Sequence, residues 1–217
     1  MNNSKIIARL SFIAGLLILA MFFVTLATGV SQEKFEISQT VESYTQNLIA
    51  AQNPLRLIFT IDLVFITVFT TLFVILPSAL KTGEKVTDAI ANVALGAMVL
   101  CGLLDFYEDL HILTMLHNAV KNLPIEQSEI SLQMTASMFK FCLSYLSLFL
   151  LAFILPNRTF AEKILKYSLW FVQLPVGVLV YTAPENLHLL FNLIRFAFMI
   201  SGFFLLAFIF RENAETK

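Results

Sequence analysis

The sequence predicts an all-α membrane protein, a bundle of six transmembrane helices. Hydrophobic residues make up 58% of the 217-residue chain and charged residues only 13%, whereas soluble domains carry about 25% charged residues. Six apolar segments reach about 20 residues, the length that a helix needs to cross a hydrocarbon core of roughly 30 Å. They are expected at about residues 6–29, 55–80, 87–117, 130–155, 163–183 and 185–210.

The first apolar segment is expected to remain as a transmembrane helix. It follows Lys5 and Arg9, as a signal peptide would, but its apolar run from Leu10 to about Ala27 exceeds the usual signal core of about 7–15 residues. A polar outer loop over residues 30–53 comes next, and the other connections are short. Consecutive helices are therefore expected to pack as antiparallel neighbours in a single membrane domain, residues 1–217.

The distribution of lysine and arginine predicts the orientation, because cytoplasmic loops carry an excess of both. Only Lys34, Lys121 and, at a helix end, Arg56 fall on the side of the polar loop. The opposite side collects Lys5, Arg9, Lys81, Lys85, Arg158, Lys163, Lys166, Arg211 and Lys217. Both termini are therefore expected to be cytoplasmic.

Ionisable residues inside the predicted helices indicate a candidate site, because a charge at the bilayer centre costs at least about 2.5–3.5 kcal/mol. At about 1.5 Å per residue, Lys140 and Arg195 lie near the midplane. Asp62, Asp105 and Glu108 lie between the midplane and the outer surface, and the inner half has no comparable group. We therefore expect a polar cavity that opens to the outside above an apolar cytoplasmic half.

Helical spacing places the polar residues on three narrow faces. Those faces hold Asp105, Glu108 and Asp109 on the third predicted helix; Gln133, Ser137, Lys140, Ser144 and Ser147 on the fourth; and Glu185, His188, Asn192 and Arg195 on the sixth. Such faces should point toward one another rather than toward lipid. Lys140 is expected to pair with Asp62 or Asp105, Arg195 with another carboxylate, and the serines to join helices.

The leading functional hypothesis is a transporter- or channel-type protein that binds a small polar solute, an ion or a proton from the outer side. The carboxylates of Asp62, Asp105, Glu108, Asp109 and Glu185 outnumber the two deep cations, and a carboxyl group in that setting could carry protons. The residues expected to bind the solute or ion are Asp62, Asp105, Glu108, Lys140, Asn192 and Arg195.

Two similar stretches, E-D-L-H-I-L at 108–113 and E-N-L-H-L-L at 185–190, suggest a metal site instead. Carboxylate-bridged dinuclear bundles take a Glu-x-x-His pair from each of two helices. Glu108, His111, Glu185 and His188 would then hold Fe, Mn or Zn in an intramembrane metalloenzyme. Alternatively, T-A-P-E at 182–185 forms a capping box with Thr182 as the N-cap, so that helix initiation alone explains Glu185.

A third hypothesis is a non-catalytic accessory or sensor subunit, in which the buried charges serve assembly as a homodimer or with a membrane partner. Outside the metal-site hypothesis, neither a cofactor nor enzymatic activity is expected. The sequence also lacks the basic patch that nucleic-acid binding requires, so the expected partners are the lipid bilayer and a small polar solute or ion.

Four stretches carry a resemblance to known proteins: N-S-K-I-I-A-R-L-S-F-I-A-G-L-L (3–17), R-L-I-F-T-I-D-L-V-F (56–65), L-L-D-F-Y-E-D-L (103–110) and F-K-F (139–141). With a long outer loop and six spans in 217 residues, they resemble families of small bacterial membrane proteins that have no assigned function. The resemblance implies a six-helix bacterial membrane protein, expected in the plasma (inner) membrane, and brings no activity with it.

Overall fold

The computed structural model describes residues 3–215, without the side chains of Tyr181, Glu185, Asn186, His188, Leu189 and residues 213–215. Throughout this range the regular secondary structure is helical. The α-helices are α1 (Asn3–Thr28), α2 (Val41–Ala50), α3 (Gln52–Leu80), α4 (Lys85–Val120), α5 (Gln127–Ile154), α6 (Phe160–Ser168), α7 (Leu174–Thr182) and α8 (Glu185–Glu215).

The predicted number of spans is confirmed: within the described range, six helical segments are long and apolar enough to cross a membrane. Five of them are α1, α3, α4, α5 and the part of α8 from Leu190 to Glu212. The remaining span is composite, since α6 and α7 are joined without a break by a π-helical stretch, Leu169–Gln173. Length and composition together indicate a membrane protein.

The bundle has two ends, which we call the loop end and the terminal end. The loop end carries residues 29–51, and the terminal end carries the start of α1 and the end of α8. Helix α4 packs against α3 and α5, and α1 packs against α3 and α8. The α3–α4 approach depends on Gly102, because a Cβ there would lie 2.4 Å from the Thr70 hydroxyl oxygen.

The predicted polar loop is a folded cap rather than an extended connection. A 3₁₀ turn, Gln32–Phe35, precedes α2, whose N-cap Thr40 accepts a hydrogen bond from the Ser43 amide. Phe35 and Tyr44 are fully buried, meet edge to face at 5.7 Å between ring centroids, and belong to a small apolar core with residues of α3 and α4. The spacing of Tyr44 and Leu48, one helical turn apart, directs both side chains into this loop-end core.

The start of α8 differs from the sequence prediction. Thr182 is not an N-cap but the last residue of α7, and its hydroxyl donates to the Val178 carbonyl at 3.0 Å. The amide of Ala183 still donates to Leu179, so the hydrogen-bond ladder of α7 holds Thr182 in the helix. An N-cap needs an extended backbone, and for that reason the predicted T-A-P-E capping box does not form around Thr182.

Candidate functional site

Lys140, at the midpoint of α5, is the centre of a buried charged cluster. Its Nζ lies 2.6 Å from Glu108 Oε1 and 3.0 Å from Asp105 Oδ1, both on α4, and 3.6 Å from Glu36 Oε1 of the cap. Lys140 is 5% exposed and Glu108 is 0% exposed. The sequence predicted Asp62 or Asp105 as the partner of Lys140, and the structure shows Asp105 in that role, joined by two further carboxylates.

Glu108 is the most tightly held of these acids. Its Oε2 accepts a hydrogen bond of 2.5 Å from the Ser137 hydroxyl, and the Gln32 amide approaches Oε1 at 3.4 Å. With the Lys140 contact, both carboxylate oxygens have partners. Ser147, further along the same face of α5, donates instead to the Ala94 carbonyl at 2.7 Å. Ser147 therefore joins helices as predicted, whereas Ser137 belongs to the charged cluster.

Three aspartates form a second group beside Lys140. Asp62 of α3 and Asp105 and Asp109 of α4 each place one carboxylate oxygen within 4.8 Å of the others. Gln32 donates to Asp109 Oδ1 at 3.1 Å. The other oxygen, Asp109 Oδ2, is buried and accepts no hydrogen bond from the described residues. A buried carboxylate oxygen without a donor is costly, so this position favours a bound cation or proton.

Arg195 of α8 forms the second ion pair of the site. Its Nη2 donates to Glu33 Oε1 of the cap at 2.5 Å, which identifies the unspecified carboxylate of the prediction. Both cations lie close to the Phe141 ring, whose centroid is 4.6 Å from Lys140 Nζ and 4.9 Å from the Arg195 guanidinium carbon. Asn192, one turn earlier on α8, has a buried Oδ1 that lacks a hydrogen-bond partner among the described groups.

The structure gives the two members of the first Glu-x-x-His pair different partners. His111 Nδ1 lies 2.8 Å from Gln133 Oε1, whereas Glu108 contacts Lys140 and is fully buried. The side chains of Glu185 and His188 lie outside the described residues. The four-residue metal site therefore stays a prediction, while the described acids close enough to share an ion are the three aspartates.

Sequence reasoning missed the contribution of the cap. Phe35 is flanked in the sequence by Gln32, Glu33 and Glu36. Because the Phe35 ring is buried in the loop-end core, these three polar side chains are held over the bundle. The predicted cavity, open to the outside, is therefore covered at the loop end in this conformation. The only sequence signal was a phenylalanine inside the polar run V-S-Q-E-K-F-E (30–36), which is too short to distinguish a folded cap from a solvated loop.

The cap also changes the charge balance of the site. Among the described residues, Lys140 and Arg195 are the cations of the cluster. The carboxylates around them are Glu33, Glu36, Asp62, Asp105, Glu108 and Asp109. Four formal negative charges are thus left over in a largely buried volume, an excess larger than the sequence alone indicated.

Burial raises the pKa of Glu36 well above its ordinary value; Lys140 opposes this shift, and the carboxylates of Glu108 and Glu33 add to it. A raised pKa means that the folded protein binds this proton more tightly than the unfolded chain. The stabilising contribution is therefore present below the ordinary pKa of glutamic acid and is lost as the pH rises through the raised value.

Glu36→Gln is accordingly expected to become more stable relative to wild type as the pH rises. Melting temperatures of both proteins between about pH 5 and about pH 9 test this dependence. Glu42→Gln is the matched control, because Glu42 is exposed on the same cap. A constant difference between Glu36→Gln and wild type across this range would contradict a buried Glu36.

A cavity of about 220 Å³ extends from the charged cluster toward the terminal end. Near the cap its wall includes Glu36, Asp62, Asp105 and Lys140, and most of the remaining wall is apolar, with Ser168 and Gln173 among its polar members. The fold and the site together define a class: a helical bundle with six membrane-length spans around a buried acid–lysine cluster. No protein-family model, curated protein or solved structure matches the chain.

Proposed function

We propose that this protein is a transporter- or channel-type membrane protein that binds a small cation or a proton at the buried acid–lysine cluster. The observation that carries the proposal is the charge imbalance of the described cluster, in which six carboxylates surround two cations. Uncompensated charge is expensive away from water. A bound cation or a set of bound protons removes that cost. Uptake and release of the bound cation or protons would give the site a transport function.

The three aspartates are the favoured position for the cation. Hard cations prefer oxygen ligands, and Asp62, Asp105 and Asp109 offer three carboxylate oxygens within 4.8 Å of one another. Lys140 competes for Asp105, which it contacts at 3.0 Å. In this account, the arriving cation takes Asp105 from Lys140, which keeps Glu108 as its partner. Lys140 thus serves as an internal counter-charge that keeps the empty site stable.

Access to the site would require movement of the cap. Glu33 and Glu36 contact Arg195 and Lys140, so residues 31–36 are held over the cluster mainly by ion pairs and the Phe35 anchor. Release of these contacts opens the cluster at the loop end. The positive-inside pattern favours cytoplasmic termini, and this orientation directs the opening to the outside of a bacterial plasma membrane.

A cation panel tests the proposal directly. The melting temperature of the purified protein is measured in detergent with Li⁺, Na⁺, K⁺, Mg²⁺, Ca²⁺, Mn²⁺ or Zn²⁺ at constant ionic strength. A second series across a range of pH tests proton binding. At least one cation, or acidification, is expected to raise the melting temperature by about 5–10 °C at 100 times its Kd. Asp109→Asn is expected to abolish the cation-induced shift, because it removes a carboxylate from the three-aspartate group, and to reduce the acid-induced shift to the part that Glu36 contributes.

Glu42→Gln is the matched control and should respond like wild type, since Glu42 is an exposed carboxylate of the same cap. Equal responses of Asp109→Asn and wild type to every cation and to pH would refute the proposed site.

Elemental analysis of the purified protein separates the metalloenzyme hypothesis from an exchangeable cation. A tightly held metal at about one ion per chain favours the metalloenzyme hypothesis, and less than about 0.1 ion per chain excludes that hypothesis.

A further inference from the structure

We propose that the cation carries a hydrocarbon chain, so that the site binds an amphipathic amine with its head at the charged cluster and its chain in the apolar cavity. The inference rests on the proposed cation site and specifies the class of molecule that occupies it. A small inorganic ion would use only the polar end of the cavity, and the rest of the space would have no function in binding.

The cavity has one polar end and one apolar end. Asp62 and Lys140 border the polar end, whereas the wall farther along includes Leu76 of α3, Leu155 after α5 and Leu165 of α6. The last two are buried near the terminal end. Cavities that hold water are lined by polar groups, and apolar cavities stay dry or bind apolar molecules. The apolar part is therefore suited to a hydrocarbon chain.

The length of the cavity matches a lipid-like chain. Asp62 and Leu76 lie on the same helix, and the wall includes both, so at 1.5 Å per residue they are about 20 Å apart. Lys140 and Leu155 give a similar length along α5. One leaflet spans about half of a hydrocarbon core of roughly 30 Å. A volume of about 220 Å³ over that length describes a narrow tube, wide enough for a single chain.

The charge of the polar end favours a cationic head. Four carboxylates line the cavity, Glu33, Glu36, Asp62 and Asp105. The two cations of the wall, Lys140 and Arg195, already contact carboxylates at 2.6 and 2.5 Å. A carboxylate or phosphate head would add negative charge to a wall in which four carboxylates face two cations, whereas a primary amine can donate three hydrogen bonds to those carboxylates.

Gly202 of α8 allows the chain site to be blocked without disturbing the head site. It lines the cavity, and a Cβ built there has no atom within 4 Å. Gly202→Leu therefore places a side chain in the tube, about two helical turns beyond Arg195 toward the terminal end. Gly96→Leu is the matched control, because Gly96 also has open space at its Cβ but does not line the cavity.

The experiment compares melting temperatures of wild type, Gly202→Leu, Gly96→Leu and Asp62→Asn with three probes. Ethylammonium carries the head alone, dodecanol the chain alone, and dodecylammonium both. Dodecylammonium is expected to raise the melting temperature of wild type and Gly96→Leu by about 5–10 °C at 100 times its Kd. Gly202→Leu should lose that shift but keep the response to ethylammonium, and Asp62→Asn should lose both.

An equal dodecylammonium shift in Gly202→Leu and wild type would overturn the chain site, and an equal shift with dodecanol would overturn recognition of the head. If ethylammonium and dodecylammonium both leave wild type unchanged, the amine proposal fails, while an inorganic-cation response in the panel above would keep the cation site. If Gly202→Leu does not fold, Met199→Trp, on the same wall, takes its place.

Discussion

Lys140→Met is expected to lower the free energy of unfolding by about 3–5 kcal/mol, the usual cost of removing one partner of a buried ion pair. The reason is the environment of Lys140 Nζ, which contacts Asp105, Glu108 and Glu36 while the residue is only 5% exposed. Methionine keeps most of the volume of the side chain but removes the cation that all three carboxylates contact.

Denaturant or thermal titration of the purified protein in detergent measures this effect. Lys121→Met is the matched control, because Lys121 is exposed at the end of α4, and its loss is expected to change stability by less than about 0.5 kcal/mol. The double variant Lys140→Met/Glu108→Gln should recover part of the lost stability, since it also removes a negative charge. Equal stability of Lys140→Met and Lys121→Met would show that the cluster does not depend on Lys140.

Phe35→Ala is expected to release the cap, with a local loss of about 3–5 kcal/mol for truncation of a buried phenylalanine. Phe35 is 1% exposed, packs against Tyr44 and accepts the Tyr44 hydroxyl hydrogen bond at its carbonyl, 3.2 Å away. Burial of the Tyr44 ring in the same core also raises the pKa of its hydroxyl. The loss should open residues 31–36 and expose the charged cluster.

Hydrogen exchange of the amides of residues 31–36 measures the release, because local opening speeds exchange in proportion to its equilibrium constant. Ile37→Ala is the matched control, since Ile37 is next to the cap core in sequence but 52% exposed. Unchanged protection in Phe35→Ala would mean that Phe35 does not hold the cap. Faster exchange accompanied by faster cation binding would connect the cap to access to the site.

Much of the charged cluster could be predicted because helical periodicity is a local property. The spacing of Gln133, Ser137 and Lys140 puts them on one face of α5, and α4 presents Asp105 and Glu108 in the same way. In a bundle of membrane-spanning helices, polar faces of this kind must pack against one another, because lipid offers them no hydrogen-bond partners. The Lys140–Asp105 contact follows from these two rules and the antiparallel packing of neighbouring helices.

The contribution of the cap could not be predicted in the same way. Glu33 and Glu36 lie in a short polar segment, where periodicity carries no information, and their positions depend on the tertiary burial of Phe35 between α2, α3 and α4. The Thr182 prediction failed for a related reason, because the hydrogen-bond ladder of α7 outweighed a local capping pattern. Local patterns specify faces of helices, whereas tertiary contacts decide which loop covers them.

Cation flux into proteoliposomes tests the central claim most directly, namely that the acid–lysine cluster binds a cation and passes it across the membrane. Wild type is expected to move at least one cation of the panel, or protons, faster than protein-free liposomes do. Asp62→Asn should lose that flux while Glu42→Gln keeps it. Wild-type flux that equals the protein-free background for every cation and for protons, or that is unaltered in Asp62→Asn, would contradict the account.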